Sequence, residues 1–165
     1  MGIARLRVKE ESKPMSFKHI LWPTDFSQPS YEALEAAVDL AETFHSELTL
    51  LHVIPPIPAL TGPESPASFD VSRYQAELER TAEGLMDQVR AKRIPKAIRV
   101  QHLVAQGSPA LEIARVAEEK GMDLIVIATR GESALKHVFF GSVADKVMRH
   151  SLIPVLIVPA KRGRK

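Results

Sequence analysis

The sequence contains no cysteine in 165 residues. That excludes cysteine nucleophiles, thiolate metal sites, iron–sulfur clusters and any disulfide framework. Long hydrophobic runs are also missing. The longest, Leu124–Ala128 and Val155–Val158, fall far short of the ~20 residues needed to cross a bilayer. The basic N-terminal stretch is not followed by an apolar segment of the length a secretory signal requires, so a cytoplasmic location is expected. Several catalytic and phosphate-binding signatures are absent too. There is no G-x-x-x-x-G-K-[ST] loop, no G-x-G-x-x-G after the first strand, no G-x-S-x-G elbow and no H-E-x-x-H pair. The six histidines, at 19, 45, 52, 102, 137 and 150, lack metal-ligand spacing on any one helix. His52 and His102 are expected in strands, with their ring nitrogens satisfied.

What is present describes one globular domain. Apolar residues make up 45% and charged residues 25%, close to the globular average. A chain of this length buries roughly 70% of its extended surface and needs no covalent staple. The pI of about 9.0 comes from the ends. Residues 1–16 hold Arg5, Arg7, Lys9 and Lys13, and Lys161–Lys165 adds four more basic groups. The body 17–160 then has 14 basic and 18 acidic residues, a formal charge of about −4. Two basic tails flanking a mildly acidic domain do not make a nucleic-acid surface.

Along the body, short apolar runs alternate with helix-period segments. Strands are read at 19–22, 47–54, 98–104, 123–128 and 155–158. Helices are expected from about Pro29, over 69–93 with Val71, Tyr74, Leu78, Leu85 and Val89 facing a core, from Ser108–Pro109 to a stop at Gly121, and from Ser142. The stretch 55–66 carries five of the twelve prolines and reads as a surface loop. Five strands with four helical connections predict an α/β, Rossmann-like open parallel sheet of order 3-2-1-4-5 with helices on both faces.

In such a sheet, ligands bind at the carboxyl ends of the strands where the order reverses, here strands one and four. The segments meeting there would be Pro23-Thr24-Asp25 and Ala128-Thr129-Arg130-Gly131. After nine intervening residues, Gly131 is followed by Gly141 and Ser142 at a helix start. Glycines allow close backbone approach, the first helix amides are unpaired donors, and Arg130 and Ser142 add a cation and a hydroxyl. The combination suits a phosphate. The same residues also fit plain turn and capping roles.

This pattern resembles the universal stress protein family, whose ATP-binding members carry G-x-x-G, nine residues, then G-[ST]. The similarity extends through Ile20-Leu-Trp-Pro-Thr-Asp-Phe-Ser, Leu50-Leu-His-Val53, Gly107-Ser-Pro-Ala, Gly141-Ser-Val-Ala-Asp-Lys-Val and Ile153-Pro-Val-Leu-Ile-Val. It covers about 17–159. The resemblance implies that Pro23, Thr24 and Asp25 contact ribose and adenine, with Asp25 near a phosphate-bound Mg2+. It implies that Val53 offers backbone hydrogen bonds to adenine. Ile127, Ala128, Thr129, Arg130 and Gly131, with Gly141, Ser142, Val143 and Ala144, would hold the phosphates of ATP. Ala128 stands where the family pattern has its first glycine, a substitution disfavoured if φ > 0 is required there.

The resemblance further implies a homodimer paired through Pro154–Val158, which would satisfy an apolar sheet edge. No direct protein metal ligand and no catalytic residue is expected. The function it implies is a stress-response or regulatory module. The glycine spacing next to apolar Leu135, Val138, Phe139 and Phe140 adds the expectation that ATP orders residues 129–141 and alters recognition by a regulatory protein partner. Two other readings stand beside it: a slow ATPase or adenylate- or phosphoryl-transfer enzyme with Asp25 as its only visible base, and a dimeric scaffold without nucleotide.

Overall fold

A computed structural model describes residues 16–57, 70–129 and 141–160. Nine elements follow in the order β1 (His19–Pro23), α1 (Gln28–Phe44), β2 (Glu47–Ile54), α2 (Val71–Arg93), β3 (Val100–Gln106), α3 (Pro109–Glu119), β4 (Leu124–Ala128), α4 (Ser142–His150) and β5 (Val155–Val158). The strands form one parallel sheet of order β3-β2-β1-β4-β5. This is the Rossmann-like α/β architecture expected from the strand–helix alternation. The basic tails at 1–15 and 161–165, most of the Pro-rich stretch, and residues 130–140 lie outside the described residues.

The pleat sends alternate side chains to opposite layers. Ile20, Trp22, Leu48, Leu50, Leu124, Val126 and Ala128 pack against Ala33, Leu34, Ala37 and Val38 of α1 and Met86 and Val89 of α2. Leu21, Leu51, Val53, Ile125 and Ile127 pack against Ala110, Ile113, Val116 and Ala117 of α3 and Ala144 and Val147 of α4. β1 and β4 are covered on both faces, which is why their runs are continuously apolar. Trp22, the single tryptophan, is fully buried and donates its Nε1–H to Ser30 O at 2.9 Å.

Caps set the helix ends. The Ser27 side chain accepts from Ser30 N at 3.3 Å to start α1, and Asp70 accepts from Arg73 N at 3.0 Å to start α2. α2 ends in Arg90, Lys92 and Arg93, the favourable sign for a helix carboxyl end. Gly121, at φ 62°, provides the stop expected after α3.

Three expectations need correction. β3 runs over 100–106, not 98–104, because Ile98 is tied into a turn by its N–H to Pro95 O (3.0 Å) before the ladder with β2 begins at Leu48↔Val100. The core stripe of α2 is Ala82, Met86 and Val89. Val71 and Tyr74 are 48% and 42% exposed, because the first turns of α2 contribute nothing to the buried core. Ser108 does occupy the cap position of α3, but its side chain makes no capping bond.

Candidate functional site

β1 and β4 are neighbours, with β2 on one side and β5 on the other, so their carboxyl ends flank the reversal of strand order. Beyond β1, the chain is held at Thr24. Its N–H donates to Leu51 O at 2.9 Å, and its hydroxyl lies 3.0 Å from Ser30 Oγ and accepts Phe26 N–H at 2.9 Å. Thr24 is buried, whereas the next residue, Asp25, is exposed at the rim. Asp25 Oδ1 accepts from Ser27 N at 3.1 Å and Ser27 Oγ at 2.5 Å. The turn role open to this aspartate is thus filled, and its carboxylate still reaches the surface. Phe26 then takes a left-handed backbone at φ 61°.

Beyond β4, buried Thr129 is a junction. It donates its N–H to Val158 O at 2.9 Å, accepts Ala160 N–H on its hydroxyl at 3.1 Å, and accepts Gly141 N–H on its carbonyl at 2.5 Å. This last bond brings the start of α4 to the end of β4. The cap residue of α4 is Gly141, which has no side chain to offer, and no side-chain cap is made. The first amides of α4, at Ser142, Val143 and Ala144, have no partner within the helix. They form a donor cluster at the positive dipole end. Asp145 in the same turn bonds Arg149 Nε at 3.0 Å, and this hydrogen bond raises the Arg149 pKa above its ordinary value.

The structure therefore places Pro23, Thr24 and Asp25 at the carboxyl end of β1, and Ala128, Thr129, Gly141, Ser142, Val143 and Ala144 at the carboxyl end of the adjacent β4. Val53 and Ile127 are buried on the α3/α4 side at the ends of their strands. Arg130 and Gly131 lie outside the described residues. Ala128 is an ordinary strand residue paired with Val158, and its methyl belongs to the opposite core layer, against α1. An alanine in the place of the family's glycine therefore requires no left-handed backbone and directs its methyl away from the α4 side.

His52 and Phe26 carry contacts the sequence did not assign. His52 Nδ1 lies 2.9 Å from Thr24 O, and the Phe26 ring sits 4.8 Å from the imidazole at 32°. Among the described residues, no three His, Asp or Glu side chains are grouped to hold a metal ion, and no helix is long and apolar enough to cross a membrane.

Residues 16–159 match the description "Universal stress protein family". The chain belongs to the universal stress protein family. Universal stress protein YxiE of Bacillus subtilis is 36% identical over 146 residues, covering 86% of this chain and 99% of that protein. Universal stress protein MJ0577 of Methanocaldococcus jannaschii is 30% identical over 158 residues, covering 89% and 98%. The solved structure of MJ0577 has a TM-score of 0.74 at 29% identity, over 90% of this chain and 100% of that one. A universal stress protein solved in complex with cAMP has a TM-score of 0.62 at 21% identity, over 89% and 100%, a likeness of fold.

Proposed function

We propose that this universal stress protein binds ATP with Mg2+ in the crevice between β1 and β4, and works in the cytoplasm as a homodimeric stress-response regulator. The observation that carries the reading is the uncapped amino end of α4, fixed beside the end of β4 by the Gly141–Thr129 bond. Its amides would meet the phosphates, with Arg130, Gly131 and the Ser142 hydroxyl beside them. Asp25, a single exposed carboxylate across the crevice, fits a magnesium ion that is held mainly by phosphate oxygens and water. Pro23, Thr24 and the Val53 backbone would take the ribose and base. A protein of the same fold solved with cAMP is in keeping with a nucleotide here.

Binding, with residues 129–141 ordered around the phosphates, would change the surface a regulatory partner recognises. Pairing of β5 edges across a two-fold axis would cover Leu156, which is 39% exposed. Binding is favoured over turnover because Asp25 Oδ1 already accepts two bonds from Ser27.

Calorimetric titration with Mg-ATP tests the reading, alongside a Gly131→Val, Gly141→Val double variant. Micromolar affinity that the variant loses is expected. A folded dimer that binds no ATP would return the protein to the scaffold reading. ATP turnover abolished by Asp25→Ala would instead favour the enzyme.

A further inference from the structure

The β1–β2 ladder stops in an unusual way. Its register runs to Pro23↔Leu51, and the last bond of that pair is Thr24 N–H to Leu51 O. In a parallel ladder, a residue that donates to position j−1 of its neighbour accepts from position j+1. The Thr24 carbonyl would therefore take the N–H of Val53 next. It is met instead by the His52 side chain, Nδ1 at 2.9 Å. A carbonyl only accepts, so the proton of this bond lies on Nδ1.

The backbone of Val53 points the same way as that of Leu51. Glu47 N–H bonds Lys18 O and Leu51 O bonds Thr24 N–H, both toward β1, whereas Ile54 O bonds Gly107 N–H toward β3. By the two-residue period, the Val53 amide is directed to the β1 side, just past the end of that strand. Phe26 adds to the arrangement. Its left-handed φ of 61° is uncommon for a bulky residue, and its ring lies against the same imidazole, tilted by 32°. One side chain thus engages the turn at two points, Thr24 and Phe26.

We infer that His52 is a positioning residue: by holding the Thr24 carbonyl on its own Nδ1–H, turned from the ladder direction, it ends the β1–β2 ladder and leaves the Val53 amide directed into the crevice for a nucleotide base. The second half of this inference rests on the nucleotide reading above. Without the Nδ1 donor the Thr24 carbonyl is free to turn to Val53 N–H, and the ladder closes over the place the base would use.

The test is amide hydrogen exchange at Val53 by NMR, without nucleotide, in the wild type, His52→Phe and His52→Asn. His52→Phe keeps a ring for Phe26 and deletes the donor. His52→Asn returns an N–H close to the Nδ1 position. In His52→Phe, Val53 exchange is expected to slow about tenfold and Mg-ATP affinity to fall about tenfold. His52→Asn should stay within about threefold of the wild type in both. Equal Val53 exchange in folded wild type and His52→Phe overturns the positioning role, whatever ATP does. The exchange contrast in a wild type that binds no Mg-ATP supports His52 as the end of the ladder and overturns the nucleotide reading alone. If His52→Phe does not fold, the wild type decides. A Val53 amide as protected as that of Leu51 before nucleotide is added overturns the inference, and one exchanging at least tenfold faster supports it.

Discussion

The Gly141 N–H donates to the Thr129 carbonyl at 2.5 Å, so the chain re-enters the described fold at the point where it left β4. The backbone of Gly141, at φ −66° and ψ 151°, suits any residue. Glycine is therefore not needed here for conformational freedom; in the nucleotide reading, a methyl at this position would stand beside the α4 amides that meet the phosphates. Because alanine is a poorer N-cap than glycine, Gly141→Ala is expected to lower the unfolding midpoint by about 2–4 °C, the scale of about 1 kcal/mol. It should also weaken Mg-ATP binding about tenfold or more in calorimetric titration.

Gly107 is the opposite case. Its φ is +143°, and an added Cβ would lie 2.9 Å from Glu112 Cγ, whereas at Gly121, with φ +62°, the space is open. Glu112 is itself held by Arg115, through bonds of 3.0 and 2.7 Å to its Oε2. Gly107→Ala should cost about 2–3 kcal/mol and Gly121→Ala about 1 kcal/mol. Urea titrations followed by Trp22 emission give both values and test their order.

Asp123 fastens the entry of β1 to the entry of β4. Its Oδ2 accepts Lys18 N–H at 2.7 Å and His19 N–H at 2.9 Å, while its own N–H donates to His19 O at 2.8 Å. Asp123→Ala removes an acceptor of two backbone donors at an exposed site, where water partly replaces it. The expected loss is about 1–2 kcal/mol by chemical denaturation. Asp123→Asn retains an acceptor oxygen and should lose about half as much.

The β5 edge gives a prediction on assembly. Leu156 is 39% and Leu152 81% exposed. Leu156→Lys places a charge on an otherwise apolar strand. Light scattering at micromolar concentration should show a dimer for the wild type and a monomer for the variant, with matching far-ultraviolet circular dichroism. A wild-type monomer would rule out the dimer.

The order of the strands was legible because each buried strand is short, apolar and bounded by turn formers. β2 and β5 begin and end at the residues expected for them. β3 was displaced by two residues because alternation continues through Ile98 and Arg99, and a sequence pattern does not register that Ile98 is already committed to Pro95. Val71 and Tyr74 repeat at helical spacing like the true core residues of α2, and only the packing separates them.

At the crevice, the glycine and serine spacing was readable because both walls are local in sequence. The engagement of Thr24 by His52 was not. It joins residues 28 apart through one ring nitrogen, and nothing in Leu-His-Val specifies which carbonyl that nitrogen will find. The consequence of Ala128 needed the structure as well, because its side-chain direction depends on strand register.

The central position of β1 also bears on how the chain is synthesised. Ile20 pairs with Leu124, so the strand made first has a partner made more than a hundred residues later. While a ribosome is still translating the middle of the message, β1 can join β2 on one side only, and its other edge stays open. Closing that edge requires β4 to emerge, a long-range step that limits how early the native sheet forms. A nascent chain stalled before Leu124 should therefore remain a target for chaperones that bind exposed strands, and the same chain released after Val158 should not.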